Sequence, residues 1–272
     1  MDISVLMSVY YKEKSIYLSE AIESVLNQTY KPKQFVIVKD GELTDELECI
    51  LKKYKEKYPY IIEVYQWKGK QGLGEALKFG VGKCKFKYIA RMDADDIAVN
   101  YRFEKQIERL MQDETIDILG GNIEEYDEKM EQLISVRKVP KTLNDIQKYI
   151  KIQCPFNHST VIIKKDALIK AGNYNSVKME DYDLWARMLL NGCKMENLDM
   201  VLGKNRTGKS MYRRRSGIKQ VAKAIEIENK LLSYGIINIR TYISNIVNRA
   251  IFAFVPINIK QIIYKNVIRK VE

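Results

Sequence analysis

Three carboxylates within four residues form the densest group of reactive side chains in the sequence. Asp93, Asp95 and Asp96 directly follow an apolar stretch over residues 87–92. Acids this close repel one another, which is costly unless another charge compensates. Helix capping is one explanation, because a helix N-terminus stabilises acidic side chains, but capping needs only one acid. Mg²⁺ or Mn²⁺ binds one or two carboxylates together with substrate phosphates, so the spacing favours a divalent cation site.

A second acidic pair, Glu180 and Asp181, precedes residues 182–190, whose apolar side chains recur at helical spacing. Capping of this predicted helix explains one acid at its start. Because one acid would suffice, the pair is a second candidate for chemistry.

The remaining residue types exclude several mechanisms. His158 is the single histidine, so a histidine-rich metal site is impossible and any Ser-His-Asp or Cys-His mechanism would depend on it. The four cysteines are widely spaced and form no CxxC pair, which is typical of reduced thiols in a cytosolic protein. No apolar stretch approaches the ~18 residues of a membrane-spanning helix, and we expect no signal peptide at the N-terminus.

The elements that must position these acids alternate between strands and helices. Apolar stretches rich in β-branched residues are typical of buried strands. They span residues 3–10, 34–39, 60–66, 87–92 and 116–121. Helical periodicity lies between them, over residues 15–28, 44–58, 69–80 and 101–112. This alternation predicts an α/β fold with a Rossmann-like, mainly parallel sheet flanked by helices.

Polar side chains follow three of the predicted strands. Tyr10 ends the first strand, Asp40 ends the second, and the acids at 93–96 follow the fourth. Ligands of open parallel sheets bind at the carboxyl ends of the strands. We therefore expect these side chains to form one ligand site at that edge of the sheet.

The second half of the chain is less regular. Its patterns predict strands over residues 133–139 and 159–164, and helices over residues 143–152, 181–191, 217–234 and, as one or two helices, 236–270. The predicted division is an α/β domain over residues 1–205 and a basic helical extension over residues 206–272.

Positive charge is concentrated at the C-terminal end. Residues 201–272 contain 15 basic and 3 acidic residues, a net charge of +12, whereas the other residues carry 31 basic and 32 acidic side chains, a net charge of −1. Such polarity is typical of a protein with an anionic partner, which is a nucleic acid, a phosphate ligand or a membrane surface. A solvated basic helix without a partner is the alternative.

Six short segments occur in the order and at the spacing of a known family. They read SVY at residues 8–10, LNQTY at 26–30, KDG at 39–41, DADD at 93–96, NHSTV at 157–161 and EDYDLWARML at 180–189. Together they resemble the family 2 glycosyltransferases of bacterial polysaccharide synthesis, which have the GT-A fold, and among them the capsule and O-antigen transferases. The resemblance implies a nucleotide-sugar half over residues 1–120 and an acceptor half over residues 121–205.

The resemblance implies that a UDP-sugar lies across the first four strands. Tyr10 then packs on the base with Ser8 and Val9 beside it, and Asp40 accepts a hydrogen bond from uracil. Ordinary packing is the alternative for Tyr10. Lys70, in the glycine-containing segment, approaches the nucleotide or simply belongs to a helix start.

The family's DXD motif corresponds to Asp93-Ala94-Asp95. By resemblance, Asp93 and Ala94 lie near the ribose, and Asp95 coordinates the Mn²⁺ or Mg²⁺ that bridges the diphosphate. Asp96 binds the metal or caps the next helix. Arg91, two residues before Asp93 and so on the same side of a strand, contacts a phosphate or neutralises the acids.

On the acceptor side, the resemblance makes Asp181 the catalytic base of an inverting transfer, with Glu180 as the reserve. His158 positions a phosphate or the acceptor, or has a structural role. Trp185 lines the acceptor site or belongs to the core.

The basic C-terminal extension has two implied roles. Arg213 and Arg214 belong to a loop that closes over the diphosphate in related enzymes, a task that suits bidentate guanidinium groups. The apolar stretch over residues 246–259 has basic flanks, which is typical of an element on a membrane surface; a helix packed on the domain is the alternative. We expect a cytoplasmic protein, peripheral at the inner face of the membrane if this element binds lipid.

The resemblance therefore implies a metal-dependent, inverting glycosyltransferase that moves a hexose from a UDP-sugar to a saccharide on undecaprenyl diphosphate. A nucleotidyltransferase of similar fold is one alternative, although SVYYKEKS lacks the glycine-rich basic loop that it would need after the first strand. A nucleic-acid-binding protein that uses the basic tail is another, but it would leave both acidic groups without a role. We therefore expect no nucleic acid partner.

Overall fold

The computed structural model describes residues 1–69, 72–207 and 216–256. Within these ranges, nine strands form one sheet in the order β3-β2-β1-β4-β8-β6-β9-β5, and β7 pairs with β6. The strands are β1 (Ile3–Val9), β2 (Gln34–Asp40), β3 (Ile62–Trp67), β4 (Tyr88–Arg91), β5 (Ile97–Ala98), β6 (Ile118–Tyr126), β7 (Leu133–Arg137), β8 (Ile162–Lys164) and β9 (Met195–Arg206).

Helices cover both faces of this sheet. They are α1 (Ser15–Leu26), α2 (Asp45–Lys57), α3 (Leu73–Lys83), α4 (Arg102–Gln112), α5 (Leu143–Tyr149), α6 (Lys165–Lys170), α7 (Glu180–Leu190), α8 (Ile218–Ser233) and α9 (Ile239–Phe254). A short 3₁₀ turn, His158–Thr160, precedes β8.

The first four strands are parallel, as the alternation of strands and helices predicts. β2 and β4 flank β1, and β3 pairs with β2. Beyond β4 the sheet becomes mixed, because β8 pairs antiparallel with both β4 and β6. The carboxyl ends of β1, β2 and β4 therefore meet at one edge of the sheet, with the segment before β8 beside them.

The sheet separates two apolar clusters, and the alternation of side chains along β1 shows how. Ile3, Val5 and Met7 pack with helices α1, α2 and α4, whereas Leu6 packs on the opposite face with α3 and α7. Successive side chains of a strand point to opposite faces, so a continuous apolar run is needed where both faces are covered.

The two helices at the C-terminal end are attached to the second cluster. Ile227 and Leu231 of α8 are buried with residues of α7. α9 packs on α8, and its Asn245 and Ala253 are buried. The division of the chain at residue 205 stays a prediction. In the part of the chain that the structure describes, no helix has the length and apolarity needed to cross a membrane.

Two strands differ from the sequence-based expectation. β9 runs beside β6 and then pairs with the two-residue strand β5, which directly follows the acidic cluster. The sequence patterns predict neither strand, because β5 is too short for a pattern and β9 mixes charged and apolar residues. Their pairing positions Arg206 beside the acids.

Candidate active site

A cleft of about 580 Å³ opens at the carboxyl ends of β1, β2 and β4. It brings together ten of the residues predicted from the sequence, drawn from both halves of the chain. They are Ser8, Tyr10, Asp40, Arg91, Asp93, Ala94, Asp95, Asp96, His158 and Asp181. The cleft therefore joins the end of the parallel sheet to the start of α7.

The nucleotide side of the cleft has one exposed aromatic ring and one carboxylate. Tyr10 is 41% exposed. Both carboxylate oxygens of Asp40 accept a hydrogen bond from the amide of Gly72, at 3.0 and 3.1 Å. Asp40 thus holds the start of α3 against the end of β2, and a base that binds there shares the carboxylate with this amide.

Val9 does not present its side chain to the cleft. It is 1% exposed and packs in the core cluster that contains Val5 and Met7. Strand alternation explains the difference, because Ser8 and Tyr10 point to the other side. The Val9 side chain therefore does not line the cleft, and its predicted place beside the base stays a prediction.

Trp185 is also buried completely, so the prediction that it lines the acceptor site is wrong. Its ring packs edge-on against His158, with 5.9 Å between centroids, and against Phe156. The helical periodicity of α7 directs Trp185 inward. Trp185 therefore packs against the His158 ring and helps to fix its position.

Three predicted residues, Lys70, Arg213 and Arg214, lie outside the described residues. Their roles stay predictions.

Arg91 pairs with the first acid of the cluster. Its side chain is 1% exposed, and its Nη2 atom lies 2.5 Å from Asp93 Oδ1. This pairing supports the interpretation that Arg91 neutralises an acid. Arg102 lies behind it, and donates a hydrogen bond from Nη2 to the carbonyl oxygen of Arg91 at 2.9 Å.

The helix-capping explanation for Asp95 and Asp96 is wrong. These acids precede β5, and the residue that precedes α4 is Tyr101. Asp96 is instead buried, where Oδ1 accepts a hydrogen bond from the Arg206 amide at 3.3 Å. The guanidinium group of Arg206 donates to the carbonyl oxygen of Asp95.

Glu13 is a further acid of the cleft, beside the three clustered aspartates, that the sequence analysis missed. Burial and the negative charges of Asp95 and Asp93 raise its pKa to about 7. Burial and the same neighbours raise the pKa of Asp96 well above its usual range. The cleft therefore holds more negative charge than its arginines balance.

This imbalance fits a divalent cation. Carboxylate oxygens are the ligands that Mg²⁺ and Mn²⁺ prefer. Among the described residues, no three His, Cys, Asp or Glu side chains form a group that could hold a metal ion. A cation here would therefore need ligands from a bound substrate as well. This agrees with the usual ligands of Mg²⁺, which are one or two carboxylates together with substrate phosphates.

Asp181 lies in the first turn of α7, after Met179, whose backbone is left-handed with φ of 65°. The partial positive charge of a helix N-terminus favours a carboxylate at this place. The Cys154 thiol lies against the carboxylate, with 3.6 Å between Sγ and Asp181 Oδ2. Burial and this carboxylate raise the pKa of Cys154, so the thiol stays protonated and donates.

The neighbouring acids of α7 differ from Asp181. Glu180 is outside the residues that line the cleft, and burial together with the Asp181 charge raises its pKa to about 7. Asp183 is buried completely and pairs with Arg187 at 2.9 Å and Lys230 at 2.8 Å. The structure thus sets Asp181 apart as the acid of α7 that faces the cleft.

His158 is neutral at neutral pH. Burial, followed by the positive charge of Arg91, lowers its pKa to about 4. Its Nε2 atom shares a hydrogen bond of 3.0 Å with the Tyr174 hydroxyl. The imidazole therefore acts here as a polar group of fixed orientation.

Further cleft residues were not predicted. Apart from Glu13, the polar ones are Glu125, Arg137, Asn157, Ser159, Asn205, Arg206 and Thr207. Asn157 and Ser159 stand in the NHSTV segment, which is a signal that could have found them. The others reach the cleft through the pairing of β6 with β7 and β9, which leaves no local pattern.

Comparisons with known proteins agree with this geometry. The model of glycosyl transferase family 2 matches residues 4–170, so the chain belongs to this family. It is 34% identical over 269 residues to the UDP-Gal:alpha-D-GlcNAc-diphosphoundecaprenol beta-1,3-galactosyltransferase of Escherichia coli, with 98% of this chain and 96% of that protein covered. It is 31% identical over 202 residues to the UDP-Glc:alpha-D-GlcNAc-diphosphoundecaprenol beta-1,3-glucosyltransferase WfaP of Escherichia coli, with 73% and 74% covered.

Solved structures show the same fold. Residues 1–349 of S. aureus TarS, in complex with UDP-GlcNAc, superpose with a TM-score of 0.65 at 20% identity, covering 92% of this chain and 72% of that one. The chain is therefore a glycosyltransferase with the GT-A fold, and the resemblance seen in its sequence is confirmed.

Proposed function

We propose that this glycosyltransferase moves a hexose from a UDP-sugar to a saccharide carried on undecaprenyl diphosphate, with inversion at the anomeric carbon and with the help of a divalent cation. The observation that carries the proposal is the convergence of Asp40, the acidic cluster and Asp181 on one cleft. Donor-binding groups and a candidate base thus line the same space.

The donor side supports a uracil nucleotide. Tyr10 offers an exposed ring for stacking on a base, and the Asp40 carboxylate is an acceptor for the uracil N3–H. The two curated relatives described above are named for UDP-Gal and UDP-Glc. A UDP-hexose is therefore the donor class that we propose.

Asp95 would hold the cation, with Asp93 kept in place by Arg91. When bound, Mn²⁺ or Mg²⁺ stabilises the negative charge that develops on the leaving diphosphate. The excess of carboxylates in the cleft supports this assignment, because a divalent cation relieves the repulsion between them.

Asp181 would accept the proton of the attacking hydroxyl group. The acceptor oxygen forms a bond to the anomeric carbon while the bond from that carbon to the diphosphate oxygen breaks, and UDP leaves with the electron pair. A base that takes the proton during attack contributes ~10²–10⁴-fold to the rate. The Cys154 thiol, which donates to Oδ2, would orient the carboxylate.

On the acceptor side, the positively charged side chain of Arg137 is available to bind a phosphate. Arg137 lines the cleft and donates from Nη2 to the carbonyl oxygen of Cys154 at 3.0 Å, which holds it near the Asp181 carboxylate. Guanidinium groups suit phosphate oxygens. Both curated relatives are named for a diphosphoundecaprenol acceptor, and Arg137 is the cleft residue that we assign to such a diphosphate.

Thermal melting with UDP, GDP and CDP, each with and without Mn²⁺, tests the donor class. A ligand that binds the folded state at ~100 times its Kd adds about 2.7 kcal/mol. We expect the largest shift with UDP plus Mn²⁺. No shift with any nucleotide, or an equal shift with GDP, would contradict the proposal.

A further inference from the structure

The outer face of α9 carries a continuous row of exposed apolar side chains. They recur every three or four residues, a spacing that aligns them on one side of a helix. The row, called here the apolar stripe, consists of Ile239, Ile243, Val247, Ile251 and Phe254, which are 57%, 55%, 50%, 63% and 66% exposed. Isolated apolar residues on a surface are ordinary, but a contiguous patch marks an interaction site.

Polar contacts on the opposite face of α9 fix the stripe outward. The Asn245 side chain donates to the carbonyl oxygen of Lys151 at 2.8 Å and to buried Glu228 at 2.9 Å. Arg249 pairs with Glu228 at 3.0 Å and donates to the carbonyl oxygen of Ile152 at 2.8 Å. Turning the stripe inward would break this buried network, so the stripe needs a partner outside the described fold.

Basic residues accompany the stripe. Arg240 is exposed and lies one residue after the first stripe position, so it falls within the same arc of the helix. Lys219 is exposed at the start of α8, which lies beside the end of α9 because the Gly217 amide donates to the Ala253 carbonyl oxygen at 3.0 Å. The sequence after α9 adds four basic residues and one acid between positions 257 and 272. The partner should therefore be apolar and anionic at once.

We propose that the apolar stripe of α9 lies on an anionic lipid surface. An interfacial helix buries its apolar side chains among the acyl chains while its basic residues reach the lipid phosphates. A second copy of the chain fits less well. Two Arg240 side chains would be desolvated in an apolar interface between two molecules of net charge +11.

The attachment of α9 links this surface to the acceptor side of the cleft. α9 contacts Lys151 and Ile152, and two residues later the Cys154 thiol contacts Asp181. A helix that rests on lipid would therefore hold the candidate base close to the membrane. The role of α9 in holding the base near the membrane rests on the proposed function, whereas the lipid contact itself does not.

Flotation with vesicles tests the lipid contact. The full chain and two double variants are mixed with vesicles of phosphatidylcholine, with or without phosphatidylglycerol. The stripe variant is Ile243→Asp with Ile251→Asp. The control variant is Met111→Asp with Ile169→Asp, which changes two comparably exposed residues of α4 and α6 (65% and 50%) and the same charge.

We expect wild type and the control variant to float with the anionic vesicles. The stripe variant should bind them at least about tenfold more weakly, because two apolar side chains no longer enter the interface. Binding of the stripe variant equal to that of the control would overturn the proposal. So would the absence of wild-type binding, which is the result expected if residues 257–272 cover the stripe. A wild-type dimer that the stripe variant fails to form would assign the stripe to a second copy.

A water-soluble acceptor separates this proposal from the proposed function. With such an acceptor, the stripe variant should turn over the UDP-sugar as fast as wild type does. Wild-type flotation without any transferase activity would contradict the proposed function and leave the lipid contact supported. Loss of soluble-acceptor activity in the stripe variant alone would show that the stripe serves the fold.

Discussion

At the level of single residues, the cleft contains carboxylates in two different settings. Glu13, Asp93, Asp95 and Asp96 crowd around one another, and Arg91 and Arg206 offset only part of their charge. Asp181 lies apart from them in the first turn of α7. One setting suits the binding of a cation, and the other suits the transfer of a proton.

Replacement of Asp95 tests the first setting. We expect Asp95→Ala to lose the part of UDP binding that depends on Mn²⁺, because it removes the carboxylate assigned to the cation. Isothermal titration with UDP, with and without Mn²⁺, measures the difference. Asp166→Ala, which changes an exposed acid of α6, should keep it. Mn²⁺-dependent binding that persists in Asp95→Ala would move the cation elsewhere.

His158 makes the stability of the fold depend on pH. Its pKa is lowered from 6.5 to about 4, so the unfolded chain takes up the proton first as the pH falls. The stability that neutral His158 contributes is present above pH 6.5 and is lost as the pH falls towards 4. Wild type should lose Tm as the pH falls from 6.5 to about 4, and His158→Gln should lose less. The difference should be about 2–4 °C for each ~1 kcal/mol of unfolding free energy that neutral His158 contributes. Parallel curves for the two proteins would show that His158 titrates normally.

At the level of elements, the C-terminal helices hold α7 by its buried acid. Lys230 of α8 and Tyr234, which directly follows this helix, both contact Asp183, at 2.8 and 3.0 Å, and Lys230 is 26% exposed. We expect Lys230→Met to destabilise the fold by about 1–3 kcal/mol, because it removes a charged hydrogen-bond donor from a buried carboxylate. Thermal denaturation measures the effect, and Lys223→Met on the same helix is the matched control. Equal stability of both variants would show that the remaining donors, Arg187, Asn175 and Tyr234, satisfy Asp183 without the lysine.

The centre of the parallel half could be predicted from the sequence because β1, β2 and β4 are buried on both faces. β1, β2 and β4 are short apolar runs, and a polar residue ends or directly follows each of them. Tyr10 and Asp40, which line the cleft, are therefore visible as candidate site residues without any knowledge of the fold. The start of α7 is visible for a similar reason, since its apolar residues keep helical spacing after two acids.

The rest depends on pairing between distant segments. Arg206 contacts Glu20 and the Asp95 carbonyl group, residues more than a hundred positions away, because β9 pairs with β5. Such a contact cannot be predicted from a local sequence pattern. For the same reason the sequence suggests capping at Asp96, where the structure has a buried carboxylate bound by a strand amide.

At the level of the whole molecule, charge and apolar surface are both concentrated at the C-terminal end. Residues 201–272 carry a net charge of +12, whereas the others carry −1. We expect turnover of an acceptor embedded in anionic vesicles to fall when salt is raised from about 0.1 M to about 1 M, because the Debye length falls from ~10 Å to ~3 Å. Turnover of a water-soluble acceptor is the control and should change little. An equal decline for both would place the salt effect in the cleft.

The most direct test of the central claim compares Asp181→Asn with wild type in two measurements, melting with UDP plus Mn²⁺ and turnover of a UDP-hexose with a GlcNAc-diphosphate lipid acceptor. Glu180→Gln, the neighbouring change, is the control and should keep most of the activity. We predict an unchanged melting shift for Asp181→Asn and a turnover lower by ~10² or more. Near-normal turnover in Asp181→Asn would contradict the assignment of the base and the account of the cleft that depends on it.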